Sequence, residues 1–262
     1  MNGPLVMKFG GASVAVPEQF SQIADLIIRR RREHSQIVVV VSAMRGTTDQ
    51  LIELAKLVHP NPPQREYDML ISVGERISMS LLAMALCLKN QDAVSFTGSQ
   101  SGIITCQRHS QAHIIEVCPQ RIEKGLKKGQ IVIVAGFQGV TQSKEITTLG
   151  RGGSDTSAVA LGLALKAPKV EFFKDVPGVF NDDPKKDPYA ACYTRISYET
   201  ALSVVENGAK ILHPRAIKLA EKNGLLLHVR SFDASFEDHP GTLIFDNHKK
   251  RLDVPLYESI ED

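Results

Sequence analysis

Cysteine is scarce in this sequence. Its four residues, Cys87, Cys106, Cys118 and Cys192, form no C-x-x-C pair and stand at no zinc-type spacing from histidine. That excludes a disulfide framework and a zinc module and points to free thiols in a reducing compartment. Charge of one sign is missing too. Thirty-one Lys and Arg against 29 Asp and Glu leave a net +2, too weak a field to hold a nucleic-acid backbone. No apolar run approaches 18 residues, and Met1-Asn2-Gly3-Pro4 has neither the basic nor the apolar part of a secretion leader. The expectation is a cytoplasmic protein with neither nucleic acid nor membrane as partner. Internal repeats and low-complexity linkers are also absent. The cluster Arg29-Arg30-Arg31-Arg32 closes an amphipathic helix, where cations suit the negative end, and reads as a solvated terminus. A hydrophobic content of 43% supplies a core for one large α/β domain or two small ones.

What is present is alternation. Strands are expected at Leu5–Phe9, Ile37–Val41, Val94–Phe96, Ile131–Ala135, Val170–Phe173 and Leu226–Val229. Helices are expected at Pro17–Arg32, Thr48–Leu57, Tyr67–Leu88, His113–Lys127, Asp155–Leu165, Tyr198–Glu206 and Pro214–Lys222. The runs Ile37–Val41 and Ile131–Ala135 are continuously apolar, as strands buried on both faces require. The pattern predicts an α/β protein, a three-layer αβα sandwich around a mainly parallel sheet. Asp175–Tyr189, rich in Pro, Gly, Asp and Asn, is the longest expected loop and the place for a hinge between two lobes. The residues after Phe245 turn polar and read as a peripheral tail.

In an open parallel sheet, ligands gather at the carboxyl ends of the strands. Lys8 and Gly10-Gly11 end the first strand, Ser42 to Thr48 follow the second, Gly136-Phe137 the fourth, and Lys174-Asp175 the fifth. Lys8-Phe9-Gly10-Gly11-Ala12-Ser13 thus sets a cation beside two glycines at a strand end, a cradle for phosphoryl oxygens. A second glycine-rich turn, Gly150-Arg151-Gly152-Gly153-Ser154-Asp155, opens a helix whose N-terminus favours an anion. It carries a guanidinium and a carboxylate together. Neither a P-loop string nor the protein-kinase motif set occurs, so a nucleotide user built from these two turns belongs to another class.

Six strings, in order, carry a family likeness: Lys8-Phe9-Gly10-Gly11-Ala12-Ser13-Val14, Val41-Ser42-Ala43, Gly74-Glu75, Leu149 to Asp155, Lys174-Asp175-Val176-Pro177-Gly178-Val179-Phe180, and Gly208-Ala209-Lys210-Ile211-Leu212-His213-Pro214. In these the chain resembles the aspartokinases of the amino acid kinase superfamily. The resemblance implies transfer of the ATP γ-phosphoryl group to the β-carboxylate of L-aspartate, the first step toward lysine, threonine and methionine. It implies a catalytic domain over 1–245, with an amino-acid-binding lobe at 1–166, a nucleotide-binding lobe at 167–245 and a tail at 246–262. Lys8 and Asp155 are the implied catalytic pair. Ser42, Thr48, Glu75, Phe137, Arg151 and Ser154 fall on the aspartate side, with Arg151 gripping the α-carboxylate and Glu75 the α-ammonium. Lys8, Gly10, Gly11, Ser13, Lys174, Asp175, Phe180, Lys185, Lys210 and Ile211 fall on the ATP side. Mg2+ is expected to travel on the nucleotide phosphates, mostly through water, so that no protein metal cage is needed. His213 reads as structural, because a carboxylate nucleophile needs no proton removed at neutral pH. A homodimer is implied by the likeness alone.

The match departs in places. Ala12 replaces the usual threonine, Phe180 stands where tyrosine is common, and Lys185 where arginine is common; each change touches nucleotide affinity more than chemistry. Members of the family usually continue into ACT-type regulatory domains. The sequence reading expects no ACT domain here and no feedback inhibition by lysine or threonine. Two other readings share the motifs: a sister kinase acting on glutamate, acetylglutamate, carbamate or a nucleoside monophosphate, and an idle subunit that binds ligand without turnover.

Overall fold

The computed structural model describes residues 3–182, 187 and 189–259. Leu5–Phe9 (β1), Ile37–Val41 (β2) and Ile131–Ala135 (β6) are buried at every residue. They lie side by side at the centre of an eight-stranded sheet. Ala93–Phe96 (β3) adds beside β6. On the other side, Lys169–Lys174 (β9) pairs with β1 and is followed outward by Leu226–Ser231 (β13), Thr242–Ile244 (β14) and Arg195–Ile196 (β12). Every pair is parallel except β13 with β14.

Alternation of side chains across the pleat splits the core in two. Val6, Val38, Val40, Val132, Val134 and Phe172 face one layer. There Gln120–Lys127 (α5), Gly153–Ala164 (α6), Tyr198–Glu206 (α7) and Pro214–Asn223 (α8) pack. Leu5, Met7, Phe9, Val39, Val41 and Ile133 face the other, covered by Pro17–Arg31 (α1) and Val73–Leu88 (α4). The three-layer αβα sandwich with a mainly parallel sheet is therefore the architecture of the chain.

The sequence reading missed a second sheet. Ile103–Thr105 (β4), Ile114–Val117 (β5), Gln138–Thr141 (β7) and Ile146–Thr148 (β8) run in the order β5-β4-β7-β8. The expected helix at His113–Lys127 is instead β5 followed by α5. Pro119 pushes Cys118 out of helical backbone, and the Cys118 amide bonds the Gly102 carbonyl. The expected helix at Tyr67–Leu88 is two, Gln64–Ile71 (α3) and α4, broken at Ser72, whose carbonyl accepts a 2.8 Å hydrogen bond from Gln138 Nε2. Thr47–Val58 (α2) precedes them. Within the expected long loop, Val179–Phe180 (β10) pairs with Cys192–Tyr193 (β11).

Although no uninterrupted apolar run approaches 18 residues, Gln64–Leu88 is, among the described residues, the one helical stretch long and apolar enough by mean composition to cross a membrane. It buries Asp68 and Glu75 inside the fold. The tail is not peripheral either. The side chain of Asn223 at the end of α8 donates to the Leu256 carbonyl at 2.9 Å and accepts from the Leu256 amide at 2.8 Å.

Arg30 corrects the reading of a wholly solvated arginine cluster. It turns inward to Glu171 on β9, with Nη2 to Oε1 at 2.6 Å and Nε to Oε2 at 3.2 Å. Lys169 Nζ lies 2.6 Å from the same carboxylate, and the His228 ring 3.6 Å. Burial alone would raise the Glu171 pKa. His228, Lys169 and Arg30 more than offset it and hold the carboxyl far below its ordinary range. A carboxylate whose pKa is depressed on folding stabilises the protein above its unfolded pKa, about 4.3, and loses that contribution as pH falls below it. Glu171→Gln is expected to cost about 2–3 kcal/mol at pH 7, since it removes the charge-assisted hydrogen bonds of the partly exposed Arg30 and Lys169. Its unfolding midpoint should then depend less on pH between about 5 and 3 than that of wild type. Equal midpoints at neutral pH in thermal melts would contradict this.

Candidate active site

The four strand ends singled out above belong to neighbours in the sheet, β9-β1-β2-β6. Lys8 is the penultimate residue of β1, and its Nζ lies 2.6 Å from Asp155 Oδ1, with side chains only 6% and 9% exposed. A Cβ placed on Gly10 would lie 3.5 Å from that Nζ, so the bare backbone leaves one flank of the ammonium open. Asp155 is in the first turn of α6, where the amides of the helix N-terminus also favour negative charge. Burial pushes its pKa up, but the charges of Lys8 and Lys174 outweigh this and bring it to about 2. The amide of His213 adds a 3.2 Å hydrogen bond to Asp155 Oδ2. Lys174, at the end of β9, is itself pulled below its ordinary pKa by burial.

The turn into α6 depends on its glycines. Gly150 and Gly152 take φ of +71° and +73°, and a Cβ on Gly152 would fall 2.0 Å from His213 Cγ. His213 is the N-cap of α8, its Nδ1 accepting from the Arg215 amide at 3.3 Å. Gly136, leaving β6, passes so close to Ser154 that a Cβ would lie 2.9 Å from the serine Cβ. Phe137 adopts φ +66°; its amide donates to Ser157 Oγ at 3.1 Å and its carbonyl accepts from Leu149 at 2.9 Å. The end of β6 is thereby stitched to the glycine-rich turn.

Glu75 enters from α4. A Cβ on Gly74 would lie 2.8 Å from the Ala43 Cβ, so glycine there lets α4 approach the end of β2. Glu75 Oε1 accepts from the Ala43 amide at 3.0 Å, while Oε2 is buried with no hydrogen-bond partner. Burial raises its pKa to about 7, the Ala43 amide and the Lys8 charge offsetting only part of the effect. An unpaired buried carboxylate oxygen is costly and receptive to a cationic donor.

The remaining sequence candidates divide. The Ser42 amide bonds the Phe9 carbonyl at 3.1 Å, tying the ends of β1 and β2 together. Ser13 is buried and donates its hydroxyl to the Phe173 carbonyl at 3.3 Å, which fixes the first glycine turn, Gly11 included, against β9. Thr48 is half-buried in the first turn of α2, and Ser154 is buried in that of α6. Arg151, Asp175 and Lys210 are exposed. Phe180 pairs with Cys192 on the β10–β11 ribbon. Ile211 packs against the core beside Val179, Val205 and Ile217. Lys185 lies outside the described residues. Among the described residues no group of three or more His, Cys, Asp or Glu forms a metal cage.

Two residues that hold the glycine-rich turn escaped the sequence reading. Asp68 of α3, fully buried, accepts from the Thr148 amide at 3.1 Å, the Ser110 amide at 2.9 Å and His109 Nδ1 at 2.9 Å. It fixes β8 immediately before Leu149. Arg215 of α8 donates to the Leu149 carbonyl itself. Both act across 66 to 80 residues of sequence, and neither belongs to a local pattern.

The model of the amino acid kinase family matches residues 3–231. An aspartokinase of Bacillus sp. strain MGA3 is 48% identical over 242 residues, covering 92% of this chain and 58% of its own length. Aspartate kinase from Synechocystis superposes with a TM-score of 0.82 at 44% identity, over 95% of this chain and 41% of that one. E. coli aspartokinase III, solved in complex with aspartate and ADP, superposes with a TM-score of 0.82 at 26% identity, over 94% of this chain and 65% of that one. The chain thus spans about three-fifths of the length of such curated relatives.

Proposed function

The chain belongs to the amino acid kinase family, and from that premise we propose that it transfers the γ-phosphoryl group of ATP to the β-carboxylate of L-aspartate. The observation that carries this reading is the buried Lys8–Asp155 pair at 2.6 Å beside the unpartnered Glu75 Oε2. One feature suits an anionic phosphoryl group and the other an ammonium. The identity with aspartokinases, and the aspartate and ADP bound to the E. coli enzyme, support the choice of substrates.

Both reactants are anions, so the work of the site is positioning and charge neutralisation. Arg151 grips the α-carboxylate through a bidentate pair, and Glu75 accepts the α-ammonium. Phe137, Ser42, Thr48 and Ser154 wall the amino-acid pocket. The β-carboxylate oxygen attacks the γ-phosphorus, and the bond to the β,γ-bridging oxygen breaks to release ADP. No proton leaves the nucleophile. Lys8 neutralises charge on the moving group, and Asp155 holds Lys8 in place. Lys174, with Gly10, Gly11, Asp175, Phe180 and Lys210, serves the nucleotide. Asp155, ionised at neutral pH, would hold Mg2+ carried on the phosphates, mostly through water, and when bound the ion would supply further positive charge.

Glu75 gives this reading a pH signature. Binding an ammonium requires the ionised carboxylate, and burial sets its pKa near neutrality, at about 7. The kcat/KM for aspartate is expected to rise about tenfold per pH unit below that value and to level off above it. Glu75→Gln should remove the rise while weakening aspartate binding, as read in steady-state profiles from pH 5.5 to 8.5. Substrate choice is tested with a panel of aspartate, glutamate, N-acetylglutamate and UMP at saturating ATP. Preferred turnover of any of the other three would replace aspartate in this proposal.

A further inference from the structure

The tail reaches the glycine-rich turn through one ion pair. Glu258 lies beside β5: its amide bonds the Ile114 carbonyl at 3.1 Å, and its Oε2 accepts from the Ile114 amide at 2.8 Å. The same carboxylate holds Arg215 by a two-point pair, Nη2 to Oε2 at 2.7 Å and Nε to Oε1. Both side chains are largely buried, at 19% and 8% exposed. The guanidinium then spends its remaining donors inward. Nη1 donates to the Leu149 carbonyl and Nη2 to the Ala112 carbonyl at 2.7 Å. Leu149 is the last residue before Gly150, and the Ala112 amide bonds Thr148 at 2.9 Å. Asp68 grips Thr148 from the other side. The turn that presents Arg151 and Asp155 is therefore held between two clamps, one of them closed by the tail.

We propose that Arg215 and Glu258 form a positioning pair for the amino-acid site: the tail carboxylate orients the guanidinium, which fixes the Leu149 carbonyl and with it the placement of Arg151. Neither residue is assigned contact with substrate. The planar fork is essential to the geometry, since one guanidinium meets a carboxylate and two carbonyls at once; an ammonium cannot reproduce that set. The glycines make the turn sensitive, because Gly150, Gly152 and Gly153 impose little conformational restraint of their own. A surface cleft of about 370 Å³ lies along the outer side of the pair, between α8 and the tail, lined also by Lys218.

The proposal rests on the aspartate kinase reading, and the test separates the two. In Glu258→Ala and in Arg215→Lys, hydrogen exchange of the segment 149–156 is expected to speed up, a readout that needs no substrate. With turnover measured, the KM for aspartate should rise about tenfold, the scale of one charge-assisted contact. The kcat and the KM for ATP should stay within about twofold. Arg215→Lys keeps a cation for Glu258, so a docked tail with a loosened turn is its expected state. Lys218→Ala, in the same cleft without contact to the turn, should change neither readout. Faster exchange in a chain that turns over no aspartate would leave the clamp standing and remove the substrate reading. The clamp is overturned if exchange at 149–156 is unchanged in both variants, or if only Glu258→Ala has an effect. Parallel loss of kcat, both KM values and the melting midpoint would also overturn it, by reducing the pair to general stability.

Discussion

Lys8→Ala is expected to lower kcat by about a thousandfold or more, the scale seen when a single preorganised charge on a transferring group is removed. The expectation follows from position. Lys8 lies at the end of β1 between Val40 and Phe172 of the flanking strands, so its side chain has a fixed origin and one acceptor, Asp155, at 2.6 Å. At pH 8.5, where Glu75 is ionised, aspartate binding relies on other groups, so its KM should change by less than about threefold. The substitution also strands a buried carboxylate, a loss of about 3–5 kcal/mol. Acidification then becomes a diagnostic. Asp155 has a folded pKa near 2 because of Lys8 and Lys174, and without Lys8 that depression shrinks, together with the stability it contributes above the unfolded pKa. The double variant Lys8→Ala/Asp155→Asn removes the stranded charge. It should regain much of the melting midpoint of wild type and none of the activity. Recovery of both would remove Lys8 from the chemistry.

Arg151→Ala should raise the KM for aspartate by about thirty- to a hundredfold, equivalent to about 2–2.7 kcal/mol, within the range of a charge-assisted contact. Because Arg151 is exposed in the free protein, its loss should leave the stability, as read in thermal melts, within about 0.5 kcal/mol of wild type. Arg151→Lys is expected to fall between, since a point charge replaces a planar fork. The KM for ATP separates the sides of the site. If it rises while that for aspartate holds, Arg151 serves the nucleotide and the division between the two pockets is redrawn.

The parts of the fold legible in the sequence are those where burial is complete on both faces. Ile37–Val41 and Ile131–Ala135 were readable to the residue because an uninterrupted β-branched run has few other uses. The short strands of the second sheet were not. Gln138–Thr141 and Ile146–Thr148 carry polar residues yet are almost wholly buried, their hydroxyls satisfied at separate partners, Thr147 by Thr105 at 2.6 Å, Thr148 by Asp68 and Thr141 by Ser143. Satisfaction by partners distant in sequence or outside the strand leaves no periodic trace. The strand-end rule pointed to Lys8, Gly136 and Lys174, which the fold gathers at one rim of the sheet, and glycine spacing pointed to Asp155, which pairs with Lys8 there. Asp68 and Arg215 remained hidden, since their targets are main-chain atoms far along the chain. The inward turn of Arg30 was equally unreadable: only the fold sets Glu171 beside it.

The central claim is that the paired turns assemble a phosphoryl-transfer site for the aspartate side chain. An acyl phosphate is trapped by hydroxylamine as a hydroxamate, so the direct test is to incubate the protein with ATP, Mg2+, L-aspartate and hydroxylamine and to assay the hydroxamate. Formation that requires both ATP and aspartate, and that vanishes in Lys8→Ala, is the expected result. Absence of hydroxamate from the folded wild-type chain at saturating ATP and aspartate would contradict it.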